Sequence, residues 1–438
     1  MKRISRLMSV AAAGLVCLAV ACNFYQQLAS TSTPPTLNST KPPSPTAKST
    51  TPEMNQRPPS ARIVGYFTSW GVNDRGYTVA KIPAGRITHI NYAFSAVSAQ
   101  GECALGDPEA DVQRLYSSDE SVDQAADTQE GAGSLFHGNF NQFRKLKLQY
   151  PDLKVLISIG GWDGSSQFSD AALNDESRQK FASSCIRLYF QDYPGVFDGI
   201  DIDWEYPVSG GLKPGRAEDR HNFTLLLAEL RKGLDAQGSA DGKQYLLSIA
   251  APAGDYASTH FELDQIYPYL DWVNLMTYDI HGTWDTITNF NAPLYNSSSN
   301  PIKNDTSVDS SVMAYLKTGL PPQKLNVGVP FYGISWQDVP DTNHGLYQVA
   351  AGPATSSIDY LTIKNTSLPA STRYWQEEAK NAWLYNPSTG ILIAYDDPES
   401  VGIKADYVKE HSLGGIMIWE LSQDGGELFA AIYNQLKP

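Results

Sequence analysis

The run Asp-Gly-Ile-Asp-Ile-Asp-Trp-Glu-Tyr-Pro, from Asp198 to Pro207, sets Asp201, Asp203 and Glu205 two residues apart. In a strand, such residues project from one face. Ile200, Ile202 and Trp204 then take the other face. Acids in a row are expensive to bury unless they share protons or accept hydrogen bonds. The chemistry that uses them is proton transfer. A neighbouring anion at Asp203 raises the pKa of Glu205 and keeps it protonated near neutral pH. That makes Glu205 a general acid of the kind glycosidic cleavage requires. Asp203 is either a nucleophile or an orienting group, and spacing leaves that choice open. The competing readings are a structural ion network and a divalent-metal site. A metal site calls for more oxygen ligands or His nearby, and no cation-rich strand is evident as a partner.

The acids must be held by strands. β-prone runs recur at 63–66, 89–94, 155–161, 199–206, 245–251, 272–278, 325–332 and 415–421. Amphipathic stretches follow several of them, at 140–149, 176–191, 219–234 and 308–318. Strands alternating with helices indicate parallel βαβ units. Eight such units predict an α/β fold, a closed (β/α)8 barrel, over 61–438. Inward positions of such barrels normally hold packed aliphatics, and Glu205 would sit at the face where barrel active sites open. Two connections are long. The 96–133 segment is polar and loop-like, whereas 334–392 carries β-prone and aromatic pieces and reads as a small α+β insertion walling the cleft.

The remaining composition narrows the setting. A net charge of −14 lacks the basic footprint of a nucleic-acid partner. Lys2, Arg3 and Arg6 precede an apolar run ending in Ala19-Val20-Ala21, which predicts an export signal over 1–21 and a secreted location. Cys22 follows at once, so simple cleavage competes with a lipid tether to a membrane through Cys22. The 22–60 segment is rich in Ser, Thr and Pro and reads as an extended linker. Cys103 and Cys185 in the folded region are either one disulfide or two buried thiols.

The carboxylate strand resembles the D-x-x-D-x-D-x-E signature of glycoside hydrolase family 18, the family of many chitinases. Ser158-Ile-Gly-Gly-Trp162 is similar to its third-strand motif. Met276-Thr-Tyr-Asp279 with His281-Gly-Thr-Trp284 is similar to its sixth, and Gly414-Gly-Ile-Met-Ile-Trp-Glu420 to its last. The resemblance implies a substrate-assisted, retaining hydrolysis of β-1,4-linked N-acetylglucosamine chains such as chitin. It implies Glu205 as acid and base, Asp203 orienting the substrate's N-acetyl group, Asp201 sharing a proton with Asp203, Tyr278 bonding the acetamide, and Asp198 supporting the strand. It implies Tyr66, Phe94, Gly160, Gly161, Trp162, Asp163, Tyr206, Met276, Asp279 and Trp419 as substrate contacts. Trp70, Trp284, Trp336, Trp375 and Trp383 are either outer sugar platforms or core. A monomer without metal or organic cofactor is expected. Many relatives read Tyr-Gly-Arg where this chain has Tyr332-Gly333-Ile334, which removes one polar sugar contact. The alternatives are an endo-β-N-acetylglucosaminidase acting on N-glycans and a sugar-binding lectin without catalysis.

Overall fold

The computed structural model describes residues 61–128, 136–254 and 256–437. The expected export signal, the 22–60 linker, Cys22 and the end of the 96–133 connection lie outside the described residues.

The strands, in chain order, are β1 (Arg62–Thr68), β2 (His89–Val97), β3 (Cys103–Ala104), β4 (Lys154–Gly160), β5 (Gly199–Asp203), β6 (Leu246–Pro252), β7 (Trp272–Met276) and β8 (Leu325–Pro330). There follow β9 (Tyr332–Trp336), β10 (Ala354–Asp359), β11 (Thr372–Gln376), β12 (Asn381–Asn386), β13 (Ile391–Tyr395) and β14 (Gly415–Trp419). Eight of them form a parallel ring in the order β1-β14-β8-β7-β6-β5-β4-β2, closed by β1 pairing with β2. This is the expected (β/α)8 barrel. Ile200 and Ile202 are fully buried on its outer side. Trp204 continues that side, stacking on Phe168 at 5.3 Å between ring centroids. Helices Gly138–Gln149, Asp175–Ile186, Asp219–Asp241, Val308–Lys317, Pro398–Glu410 and Glu427–Leu436 surround the ring. Three of them start with reciprocal side-chain caps at Asn174, Ser307 and Asp397, which satisfy backbone N–H groups that the first helical turn leaves unpaired.

After β8 the chain turns at once into a second sheet. Its order is β10-β9-β13-β12-β11, and every pairing is antiparallel. Its core includes Ile334, Trp336, Trp383, Leu392 and Ala394. The side chain at the position of the missing arginine therefore packs inside this sheet. The run 325–332 is two strands, not one. Pro330 has no N–H to extend the ladder, and the Phe331 N–H donates to the Trp419 carbonyl at 2.7 Å. A second correction concerns the catalytic strand. Its ladder to β4 ends at the Gly160–Asp203 pair, so Glu205 lies just beyond the strand. There its N–H donates to Ser165 Oγ at 2.9 Å. The helix expected over 176–191 is α-helical only to Ile186 and widens to a π-turn over Arg187–Asp192.

Two tethers secure the long connections. Cys103, on β3, is disulfide-bonded to Cys185 of the Asp175–Ile186 helix, across 82 positions of sequence. Lys404, fully buried, donates to both oxygens of Asp396 at 2.7 Å, where β13 meets the Pro398–Glu410 helix. Replacing both cysteines with Ser is expected to lower the unfolding free energy by about 2–4 kcal/mol, read from urea melts under non-reducing conditions. Lys404→Met strands the buried Asp396 carboxylate and should cost about 3–5 kcal/mol, with most of the loss recovered when Asp396→Leu is added.

Candidate active site

The C-terminal ends of the barrel strands open into a cavity of about 980 Å³. At its base the interior is polar. β-Register sets Ser158, Asp201 and Ser248 side by side on β4, β5 and β6. Asp201 is fully buried and accepts four hydrogen bonds. Its Oδ2 takes the Tyr66 hydroxyl at 2.7 Å and Ser158 Oγ at 2.8 Å. Its Oδ1 takes Ser248 Oγ at 2.5 Å and Asn274 Nδ2 at 3.3 Å. Burial lifts the pKa of Asp201, and these donors pull against that rise.

Asp203 differs. Its Oδ1 is buried with no hydrogen-bond partner. Burial, then the charges of Glu205 and Asp201, push its pKa well above the carboxylate range. The four groups on the Asp201 oxygens are neutral donors, and Asp203 is not among them. Glu205 is raised to about 7. Burial leads, and Asp279 and Asp163 add to it. Asp203 and Glu205 also interact directly, the charge of Glu205 raising Asp203.

Tyr278 is buried, with its hydroxyl 3.7 Å from Met417 Sδ. Asp279 takes a left-handed backbone conformation, φ 53°, and its N–H donates to Asn291 Oδ1 at 2.8 Å. Its carboxylate accepts the Tyr332 hydroxyl at 2.6 Å. The cleft floor is aromatic. Trp419, at the end of β14, lies 5.2 Å from the Tyr66 ring and stacks on Phe94 at 5.7 Å. Tyr206, Met276, Trp162, Asp163 and Gly160 line the same cavity. Asp201 lies below the lining. Asp198 is elsewhere: it pairs with Lys147 at 2.8 Å and accepts the Val155 N–H at 2.9 Å, where β4 begins.

Gly161 is not among the lining residues. At φ 76°, a Cβ there would come within 2.6 Å of the Phe94 ring. The glycine makes room for Phe94 rather than for a ligand. The outer tryptophans divide. Trp70 and Trp162 line the cleft and are 38% and 46% exposed. Trp284 is exposed outside the lining, Trp375 is half-buried on β11, and Trp336 and Trp383 are core. Sequence reasoning missed Tyr332, Asn291 and Ser165, which act through other residues, and Tyr256, Asp107 and Thr306 of the lining. Among the described residues, the lining carries the carboxyls of Asp107, Asp163, Asp203, Glu205 and Asp279 and no Lys, Arg or His.

Known proteins share this arrangement. Residues 62–424 match the family described as glycosyl hydrolases family 18. The chain is 39% identical to Chitinase A1 of Niallia circulans over 412 residues, covering 86% of this chain and 58% of that protein. It is 35% identical to Chitinase 1 of Aphanocladium album, covering 82% of this chain and 80% of the other. The solved catalytic domain of psychrophilic chitinase B from Arthrobacter TAD20 superposes with a TM-score of 0.79 at 34% identity, covering 86% of this chain and 95% of that one. The match spans every strand of the barrel, and the chain belongs to glycosyl hydrolase family 18.

Proposed function

We propose that this protein is a chitinase, hydrolysing β-1,4 bonds between N-acetylglucosamine units with retention, by a substrate-assisted route. The observation that carries the reading is the state of Asp203. Burial without a donor to Oδ1 pushes the Asp203 carboxyl well above its usual range and so toward its neutral form, and a neutral carboxyl is a poor nucleophile. With Asp201 buried below the lining and held by four donors, neither acid that precedes Glu205 on this strand is set to attack the sugar, which supports a nucleophile drawn from the substrate.

The steps follow from that. Glu205, protonated at neutral pH, gives its proton to the glycosidic oxygen as the bond to the anomeric carbon breaks. The acetamide oxygen of the same sugar forms the new bond to that carbon, giving an oxazolinium ion. Its attack is intramolecular, which supplies a very high effective concentration. Asp203 accepts the acetamide N–H as positive charge develops, the Tyr278 hydroxyl bonds the acetamide oxygen, and Asp279 contacts the same region. Water then adds to the anomeric carbon as the bond from that carbon to the acetamide oxygen breaks and the acetamide re-forms, and the water's proton passes to Glu205. Two inversions leave the β-configuration. Trp419 forms the floor beneath the reacting sugar, and the lining aromatics hold its neighbours through their faces. The support for a chitin-type chain is the size of the cleft, its uncharged aromatic surfaces, its lack of cations and the names of the similar proteins. Export, lipid attachment at Cys22, the monomeric state and the 334–392 insertion boundaries remain part of this proposal.

Glu205→Gln should lower kcat on N-acetylglucosamine oligomers by about 10²–10⁴-fold while oligomer binding, read by calorimetry, persists. Unchanged hydrolysis by that variant would remove the acid assignment. Release of intact glycan from a high-mannose glycoprotein, without cleavage of the oligomers, would replace the chitinase reading with an endo-β-N-acetylglucosaminidase. The pH profile gives a further check. Activity that needs protonated Glu205 should fall as pH rises through about 7. Asp163→Asn removes a charge that favours the protonated form, so this descending limb should move to lower pH. A move to higher pH, or none at low salt, would contradict the electrostatic assignment.

A further inference from the structure

His281 follows Asp279 by two residues and lies outside the cleft lining, yet its ring is 5% exposed and held from both sides. Nδ1 lies 3.2 Å from Asp285 Oδ2, and Nε2 lies 2.8 Å from Asp305 Oδ2. Carboxylate oxygens only accept, so each contact is a hydrogen bond when the ring nitrogen facing it carries the hydrogen. A neutral ring would turn a lone pair toward one of the carboxylates.

The two carboxylates are themselves built into different segments. Asp285 Oδ2 also accepts the Gly282 N–H at 2.9 Å, closing the turn that presents Trp284. Asp305 Oδ2 also accepts Asn300 Nδ2 at 2.7 Å and Asn289 Nδ2 at 3.2 Å, and its Oδ1 accepts the Thr306 N–H at 2.9 Å. Burial opposes ionisation of Asp305, but the hydrogen bonds and charge of His281, with those of Asn300 and Thr306, hold it below its usual range. Ile280 and Thr306, each adjacent in sequence to a member of this cluster, both line the cleft. The Ile280 N–H donates to the Asn291 carbonyl at 3.1 Å, and Asn291 also holds the Asp279 N–H. The hydrogen bonds of His281 to Asp285 and Asp305 and those of Asn291 to Asp279 and Ile280 are thus joined through the backbone of residues 279–281.

We propose that His281, clamped between Asp285 and Asp305, is a positioning residue that binds the 279–285 and 300–306 segments into one wall of the cleft and keeps Asp279, Ile280 and Thr306 in place for the substrate. Its activity readout rests on the hydrolase reading above, and its structural readout does not. The clamp never touches substrate. It acts through the wall it holds, so its removal loosens binding more than it slows the proton transfer at Glu205.

His281→Gln retains a side chain that can bond one carboxylate but not both. With N-acetylglucosamine oligomers, KM is expected to rise about tenfold or more, the scale seen when a supporting hydrogen bond behind a ligand-contacting group is lost. kcat is expected to fall by less than about threefold. Hydrogen exchange should quicken in 279–285 and 300–306 and stay unchanged in β4, β5 and β6. Asp305→Asn should act on the same quantities, and the double variant should be no worse than the poorer single variant, because one interaction is lost in each. If His281→Gln fails to fold, Asp285→Asn takes its place: that carboxylate is partly exposed, and the variant keeps an acceptor for Gly282. Unchanged KM with unchanged exchange in the two segments overturns the proposal. So does a uniform loss of stability with kcat and KM preserved in the folded fraction. If the wild-type protein does not cleave the oligomers, the hydrolase reading fails, and the local exchange rates alone decide the clamp.

Discussion

A carboxyl group with no access to water sits on the axis of this barrel, and the surrounding structure is arranged around the need to satisfy it. Asp201 has room for about four donors, and four strands deliver one each: Tyr66 from β1, Ser158 from β4, Ser248 from β6 and Asn274 from β7. None of the four is a cation. Neutral donors compensate the loss of hydration without cancelling the charge, so the field of Asp201 reaches the next acid in the row. Asp203 receives no donor and inherits that field. One acid is satisfied and the next is deprived, and this difference between adjacent positions on β5 is what gives the carboxylates different tasks. The polar layer continues beyond them, with Asn326 donating to Asn274 Oδ1 at 3.0 Å.

Much of this was legible in the chain. The period-two spacing of Asp201, Asp203 and Glu205 set their face, and eight β-prone runs with intervening helices set the barrel. The aromatic floor at Trp419 came from its motif. What stayed hidden depends on contacts between distant positions. Ser158 and Ser248 carry no signal of their own, because small hydroxyl residues occupy strands for many reasons, and only register brings them beside Asp201. Tyr332 was passed over because attention fell on the absent arginine two residues later, yet its hydroxyl holds Asp279. The strand ends three residues before the expected run of 199–206 does, because alternation says which face a side chain takes and not where the ladder stops. The leading part of burial in the Glu205 shift, and the charges of Asp279 and Asp163, also depend on residues distant in sequence.

The two long connections solve a common problem in different ways. Each leaves the upper rim of the barrel and must return without floating free. The first is anchored by the Cys103–Cys185 bond and by β3 pairing back onto β2, which carries Gly106, Asp107 and Pro108 to the cleft. The second has enough apolar side chains to make its own sheet, and a buried ion pair marks its re-entry. A buried pair of this kind is weak evidence of stability in itself. It ties the Pro398–Glu410 helix to the end of β13.

The cleft's charge has a consequence for what reaches it. Five carboxyls line the cavity and no cation accompanies them, on a chain of net charge −14. Polymers that carry phosphate, sulfate or uronate groups meet a repulsive mouth before any contact forms, and an uncharged sugar chain does not. The carboxyls of the lining that are ionised, together with the net charge of the chain, therefore act as a sieve at the entrance that disfavours polyanions in a crowded mixture.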